Sequence, residues 1–455
     1  MDQLDNDISF ENRLQALRMA VEAGNLTAAR ALLEHFQAPD QAELLEELPT
    51  DEQVKLLPQF PPEDSADILA EMDEAWAAEL VTALPTATAI RIIEEMEPDE
   101  AADLLGELEP DQATTFLDRL KDADAEEIRP LLLHADDSAG GLMTPEFLAL
   151  RRRTTAADAL ASVRSWQPKS DTLSDLFVID RDGRLCGVVS LRQLVIAEPS
   201  DLVSDLMDPE PVWVAVGTDQ ETAARLMARY SLLVLPVVNG QHKLIGVITI
   251  DDVVDVLEEE ATEDIQRLGG AQPLERPYLD TSTFIIARKR IGWLLLLFLT
   301  ESLTGSVLRI FESELQAVVA LSFFIPLLIG TGGNAGSQTT STIIRALAVG
   351  DVRKRDALIT FWHELRIGIM LAVVMSAIAY GRALLWGTTP ALATAVSLSI
   401  LAIVIWANSL GALLPLAASA LKIDPTVVSG PAMSTLVDAT GLFIYFTIAR
   451  LVIGL

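Results

Sequence analysis

Asp438 is the residue whose position most demands chemistry. It stands inside the apolar run that closes the sequence, in Gly430-Pro431-Ala432-Met433-Ser434-Thr435-Leu436-Val437-Asp438. A carboxylate near mid-membrane costs about 2.5–3.5 kcal/mol even on translocon scales, so it usually faces a path or a partner. No basic residue shares its depth within this run, which favours ion binding over internal pairing. A second unusual stretch, Pro326 to Gln338, reads Pro-Leu-Leu-Ile-Gly-Thr-Gly-Gly-Asn-Ala-Gly-Ser-Gln. Its glycines let backbones approach closely and free their carbonyls, and Asn334 and Gln338 add oxygens where hydrocarbon calls for apolar side chains. In a bilayer, irregular polar backbone is tolerated only where it is buried in protein or lines a water-filled path, so the stretch reads as pore lining. Glu301 is a second membrane acid, weaker as a pore candidate because Thr300, Ser302 and Thr304 are placed to satisfy it. Asn408 reads as an interhelical hydrogen-bonding residue. Pro326, Pro415 and Pro431 are expected to kink helices and open carbonyls to the path.

Before the membrane half lies a run of carboxylates: Asp251, Asp252, Asp255, Glu258, Glu259, Glu260, Glu263 and Asp264. Residues three and four apart share a helix face, so Asp252, Asp255, Glu259 and Glu263 form an acidic stripe whose like charges repel unless cations or a basic partner intervene. A solvated helix face is one reading. Cation sensing is the other, favoured because the stripe sits between a regulatory module and the membrane.

The elements that must position these residues fall in two halves. From Thr281 onward there are 12 basic and 8 acidic residues; the first 280 carry 21 and 58. An acidic half joined to a nearly neutral apolar half is a composition boundary. Its field attracts cations and disfavours nucleic acid as a partner. Cys186 is the only cysteine and there are four histidines, which excludes an internal disulfide and argues for oxygen ligands around any metal. The polar, acidic N-terminus is no signal peptide.

Five apolar runs are long enough to cross a bilayer: Ile291–Phe311, Leu315–Ala335, Leu358–Leu385, Ala391–Leu421 and Thr426–Leu451. Arg288, Lys289 and Arg290, then Arg345, Arg353, Lys354 and Arg355, then Lys422 mark one side. The positive-inside rule puts that side and the acidic half in the cytoplasm, and the C-terminus outside.

Between residues 45 and 120 a proline or aspartate recurs about every twelve residues, at Pro49, Pro61, Asp73, Pro85, Pro98 and Pro110. Each precedes a short amphipathic run, as in Glu97-Pro98-Asp99-Glu100-Ala101. Proline and acidic residues favour helix starts, so the segment is expected to form a small α-superhelix. From Ser138 two similar units follow. The first contains Leu142-Met143-Thr144-Pro145 and Gly187-Val188-Val189-Ser190. The second contains Leu206-Met207-Asp208-Pro209 and Gly246-Val247-Ile248-Thr249-Ile250-Asp251-Asp252. The repetition resembles a tandem pair of CBS domains. In CBS modules that bind adenosine nucleotides, a Thr or Ser and an Asp three positions later contact the ribose. That resemblance implies ATP or a related nucleotide at Thr249 and Asp252, with only Ser190 and Gln193 in the first unit. The same residues also read as a helix N-cap and its first-turn acid.

The whole chain is similar to the MgtE family of magnesium channels and transporters, most specifically in Gly330–Gln338 and around Asp438. The resemblance implies a multi-domain fold: an all-α superhelical N-domain at 1–137, an α/β tandem CBS pair at 138–258, an acidic stripe and connecting helix at 259–287, and an α-helical pore domain of five spans at 288–455. It implies that Asp438 holds hydrated Mg²⁺ in the pore with Asn334 and the carbonyls of Gly330 and Ser434. Gly430 departs from relatives that carry asparagine there, so one outer-sphere contact differs. Mg²⁺ sheds water reluctantly and needs few carboxylates. The resemblance further implies that Asp99 joins Asp251, Asp252, Asp255, Glu258, Glu259, Glu260, Glu263 and Asp264 in sensing internal Mg²⁺, and that the chain is a homodimer in a bacterial-type inner membrane. It implies Mg²⁺ entering the cytoplasm through a channel closed by cytoplasmic Mg²⁺, and no enzyme. The alternatives are a membrane-anchored Mg²⁺/nucleotide sensor and a CBS-regulated transporter of another divalent metal.

Overall fold

A computed structural model describes residues 2–166, 174–274, 278–279, 281–428 and 430–454. Part of the expected connecting segment, residues 275–277 and 280, lies outside the described residues, as does Ser429. The chain divides into two compact units, 1–258 and 259–455.

The first unit opens with short helices whose N-caps fall in strict register. Asn25, Gln37, Pro49, Pro61, Asp73, Pro85, Glu97, Glu109 and Lys121 each precede a helix, twelve residues apart. The repeat expected over 45–120 therefore extends one or two helices beyond it at either end. The fourth helical residue after the cap is buried in every repeat except the one capped by Glu109, where Ala113 is half-buried, and in three repeats it bonds to the one before. Gln53 donates from Nε2 to the carbonyls of Leu45 and Leu48, both at 2.8 Å, and Gln41 donates in the same way to Leu33 and Phe36. Ser65 reaches the Leu57 carbonyl, and the equivalent Ala77, Ala89 and Ala101 are small and buried. These bonds give the Phe36 and Leu48 carbonyls, beyond the helix ends, a partner, and give those of Leu33, Leu45 and Leu57 a second one beside the backbone N–H they already accept.

Two three-stranded sheets follow. β1 (Ala149–Arg151), β2 (Asp175–Ile179) and β3 (Leu185–Ser190) form one; β4 (Val214–Ala215), β5 (Val234–Val238) and β6 (Leu244–Thr249) form the other. In both, the first pair is parallel and the second antiparallel, with Asp175 opposite Ser190 and Val234 opposite Thr249. This equivalence is the structural form of the sequence repeat. The apolar core of the helical repeat runs on into Val214, Leu235, Val237, Ile248, Val253 and Val256, so the helical domain packs on the second CBS-like unit.

Among its described residues the second unit has five helices long and apolar enough to cross a membrane: Thr283–Ile310, Val319–Ala348, Ala357–Leu385, Pro390–Ala420 and Gly430–Ile453. They are called the first to fifth membrane helices below. The second lies further along the chain than its hydropathy suggested, because Ile325–Ala348 is one continuous α-helix through the glycine-rich stretch. That stretch is not irregular backbone. Of the three prolines expected to kink helices, Pro326 and Pro431 lie in first turns, where proline fits, and Pro415 alone is interior.

Candidate ion pathway and acidic surfaces

The second and fifth membrane helices run antiparallel and closely paired. A Cβ built on Gly333 would lie 2.5 Å from Ser434 Oγ and 3.6 Å from the Ser434 Cα, so the helices approach closely here, as small residues allow between membrane helices generally. One turn further, the Ser337 hydroxyl donates to the Gly430 carbonyl at 3.1 Å. Together the two contacts fix a register in which the turn holding Gly330 lies opposite Asp438. Gly330, Asn334 and Gln338 are exposed along one face of the second helix, four residues apart. Ser434 and Asp438, likewise four apart on the fifth, are half-buried.

The glycines thus serve helix packing more than they free carbonyls, which the helical ladder already uses. A carbonyl oxygen keeps a second lone pair, and Gly330 is exposed on this face with nothing within 4 Å of its Cβ position. Asp438 makes no hydrogen bond or ion pair among the described residues. The charge that bears on it is that of the exposed Glu301. The expectation that neighbours satisfy Glu301 is not met. Thr300 and Ser302 bond carbonyls of their own helix, and Thr304 Oγ1 is buried without a partner. Asn408 is buried against Gly368, yet its Oδ1 has no hydrogen-bond partner, so the expected interhelical bond is also missing. Two carboxylates, an exposed amide and the exposed backbone at Gly330 make an oxygen-rich, net negative strip that suits a hydrated hard cation.

The acidic stripe lies on the helix Ile250–Leu268. At its start Thr249 donates to Asp252 Oδ2 from both Oγ1 (2.6 Å) and the backbone N–H (3.3 Å). Ser190 and Gln193 form the same cap in the first CBS-like unit. The two proposed ribose contacts are therefore engaged with each other as a helix cap.

Asp252 faces the N-terminal turn of Pro98–Gly106. There Asp99 is buried, accepts a hydrogen bond from Thr144, and keeps Oδ1 without a partner. Burial, then Glu97, pushes Asp99 up to about 7. Burial, then Asp99, does the same to Asp252, also to about 7. Glu100 rises to about 9 through burial and then Glu97 and Asp99, and Asp103 to about 8 through burial and then Glu74. A second face brings Glu71 to Asp255: burial, then Asp255, Asp67 and Asp251, raises Glu71. Sequence reasoning missed Glu71, Glu100 and Asp103. Their carboxylates are ordinary along the chain, and only packing of the repeat on the second CBS-like unit collects them. The Asp99–Asp103 spacing of four was the one available signal.

The last turns of the acidic helix belong to the second unit. Glu263 pairs with Arg267 on the same helix, and Asp264 lies among Asp424, Glu260, Arg267 and Arg345. Among the described residues no three His, Cys, Asp or Glu side chains are grouped so as to hold a metal ion directly. The acidic surfaces consist of pairs and rows.

Comparison with known proteins accords with this layout. The family profile described as "Divalent cation transporter" matches residues 325–448, the MgtE intracellular N domain matches 36–137, and CBS domains match 139–199 and 203–259. The magnesium transporter MgtE of Thermus thermophilus is 43% identical over 327 residues, 72% of each chain. That of Bacillus subtilis is 32% identical over 330 residues, 72% of this chain and 73% of the relative. Among solved structures, the cytosolic domain of the Mg²⁺ channel MgtE in complex with ATP aligns with a TM-score of 0.51 at 36% identity, covering 53% of this chain and 99% of that one. The soluble part of a magnesium transporter aligns at 0.50 and 26% identity, covering 55% and 99%.

Proposed function

Because the chain belongs to the MgtE family of divalent cation transporters, we propose that it is a Mg²⁺ channel carrying the ion into the cytoplasm. The observation that carries this reading is Asp438, unpaired on the fifth membrane helix and opposite the exposed Gly330–Asn334–Gln338 face of the second. Ser434 and Asp438 with Asn334 and the Gly330 carbonyl hold the ion through its water shell. In a single chain this face lies open, so a second copy completes the path in a homodimer. The basic residues bordering the membrane helices support a cytoplasmic position for the acidic unit and an outer C-terminus.

Closure follows from the acidic surfaces. Asp99 and Asp252, and Glu71 with Asp251 and Asp255, repel one another when packed, and Mg²⁺ at these pairs and at Glu258–Asp264 neutralises them. The ion binds the packed state better than the separated one, which is the condition for it to shift the equilibrium. Asp99 Oδ1, buried without a partner, is an acceptor that a cation or its water shell would satisfy. ATP at the second CBS-like unit would have to open the Thr249–Asp252 cap, so its binding is expected to couple to the same surface. In this reading residues 1–137 and 138–258 sense, 259–287 transmit and 288–455 conduct.

The test is Mg²⁺ flux into liposomes holding the purified protein, wild type against Asp438→Ala. Flux that disappears in the folded variant supports the path. Equal flux in both removes Asp438 from it, and no flux in wild type at low cytoplasmic-side Mg²⁺ favours a membrane-anchored sensor. Competition by Mn²⁺ or Co²⁺ decides whether another divalent metal is the cargo.

A further inference from the structure

The last turn of the acidic helix is held at two points within the second unit. After Leu268 the chain reverses at Gly270, whose φ of +76° is in the left-handed region and whose Cβ position lies 2.4 Å from the Trp293 ring. A glycine is required there, and the chain folds back onto the first membrane helix. Gln266 Oε1 accepts from the Leu274 N–H at 2.8 Å, and Lys289 donates to the Pro273 carbonyl. The second point is Arg267. Its guanidinium pairs with Glu263 on its own helix and donates from Nη1 to Asp424 Oδ2 at 2.9 Å.

Asp424 opens the short link between the fourth and fifth membrane helices. Its Oδ1 accepts from the Thr426 N–H at 2.8 Å, which sets the start of the Pro425–Val427 turn. The link then enters the fifth helix at Gly430, whose carbonyl is held by Ser337 of the second helix. One chain of contacts thus runs from Arg267 through Asp424 and Gly430 to Ser337, ending on the two helices that carry Asp438 and Asn334.

We propose that Arg267 is a positioning residue for the ion path: a built-in cation that ties the end of the acidic helix to the start of the fifth membrane helix. An isolated surface ion pair contributes little. This one differs in joining two separate elements, and it closes a network in which Glu260, Glu263, Asp264 and Asp424 would otherwise face one another, with Arg345 as the other cation. Arg267 is always charged, and its planar fork spans two carboxylates at once. The tether therefore persists without metal. Displacement of the acidic helix reaches the link before the fifth membrane helix through it, and with it the end of the fourth, to which the Ile423 N–H is bonded at the Ala418 carbonyl (2.9 Å). This rests on the channel reading for its functional consequence, though not for its geometry.

The experiment uses the full chain with spin labels at Glu259→Cys and Lys422→Cys and with Cys186→Ser. Arg267→Asp or Asp424→Arg alone is expected to lengthen and broaden the distance between the labels, and the double exchange Arg267→Asp/Asp424→Arg to restore it. In liposomes each single variant is expected to shift the cytoplasmic Mg²⁺ concentration that halves influx by about tenfold, within the usual range of coupling between sites, and the double variant to return it. A double variant as displaced as the singles, or an Arg267→Asp chain with unchanged distances, overturns the tether. Absent flux in wild type would instead count against the channel reading, and the label distances would still judge the tether.

Discussion

Replacing Asp99 by asparagine tests the acidic surface most directly. Asp99 is 7% exposed, and in the packed state its carboxyl pKa rises from the ordinary 3.8 to about 7. That difference corresponds to about 4 kcal/mol between the packed and separated states. The direction follows from proton linkage. A carboxyl whose packed-state value is raised keeps its proton longer when packed, so the packed arrangement has its full stability below about pH 4. The share due to Asp99 falls as pH rises and is lost above about pH 7, while Asp103 and Glu100, raised to about 8 and about 9, carry the decline further. Without divalent cations, opening between the Pro98–Gly106 helix and the start of the acidic helix should become easier by up to about a thousandfold across that window. Mg²⁺ binding the packed state should reverse the change by mass action. Hydrogen exchange on the full-length protein in chelator, corrected for the intrinsic pH dependence of exchange, reads this from amides 98–106 and 250–256. An amide side chain in place of the Asp99 carboxyl cannot ionise, and it also relieves Asp252. The pH increment should therefore shrink at least tenfold in Asp99→Asn, with a remainder from Glu100 and Asp103. An increment equal to that of wild type would refute the reasoning, because the charge of Asp99 would then play no part in opening.

Three further predictions concern packing. Gly333→Ala places a methyl 2.5 Å from Ser434 Oγ, which turns that hydroxyl aside, and should lower flux while the second and fifth membrane helices stay paired. Gly330→Ala meets nothing within 4 Å and should leave the fold and melting temperature intact. Gln53→Leu removes the donor to two buried carbonyls and should destabilise the N-terminal helical domain by about 2 kcal/mol, measured as earlier local unfolding by hydrogen exchange.

The sequence was most legible where a short-range pattern carries the information. Turn-by-turn proline and aspartate announced the helical repeat, because initiation is decided within one turn, and the full register was hidden at Asn25, Gln37 and Lys121 because none of the three is the proline or aspartate that marked the others. The two CBS-like units were visible because Ser190 and Thr249 end equivalent strands. The glycine-rich stretch was misread in conformation, though its place among the candidate pore residues stands as proposed. Glycine count argues for loose backbone, whereas here the same residues let a continuous helix meet Ser434. Glu71, Glu100 and Asp103 stayed invisible for a different reason: whether a carboxylate is solvated or crowded is decided by what packs on it, and nothing local encodes that.

The strict twelve-residue spacing of the helical repeat has a consequence for how this domain can change length. Gln41, Gln53 and Ser65 each reach back to the carbonyls of the preceding helix, so an insertion of one or two residues inside a repeat would break the local bridge and turn every later helix out of phase with its neighbour. Adding or removing a block of twelve would preserve all the bridges. The domain's length is therefore quantised: it can grow or shrink in whole repeats, as stacked arrays do. Each such step would also shift which acidic turn is presented to the second CBS-like unit.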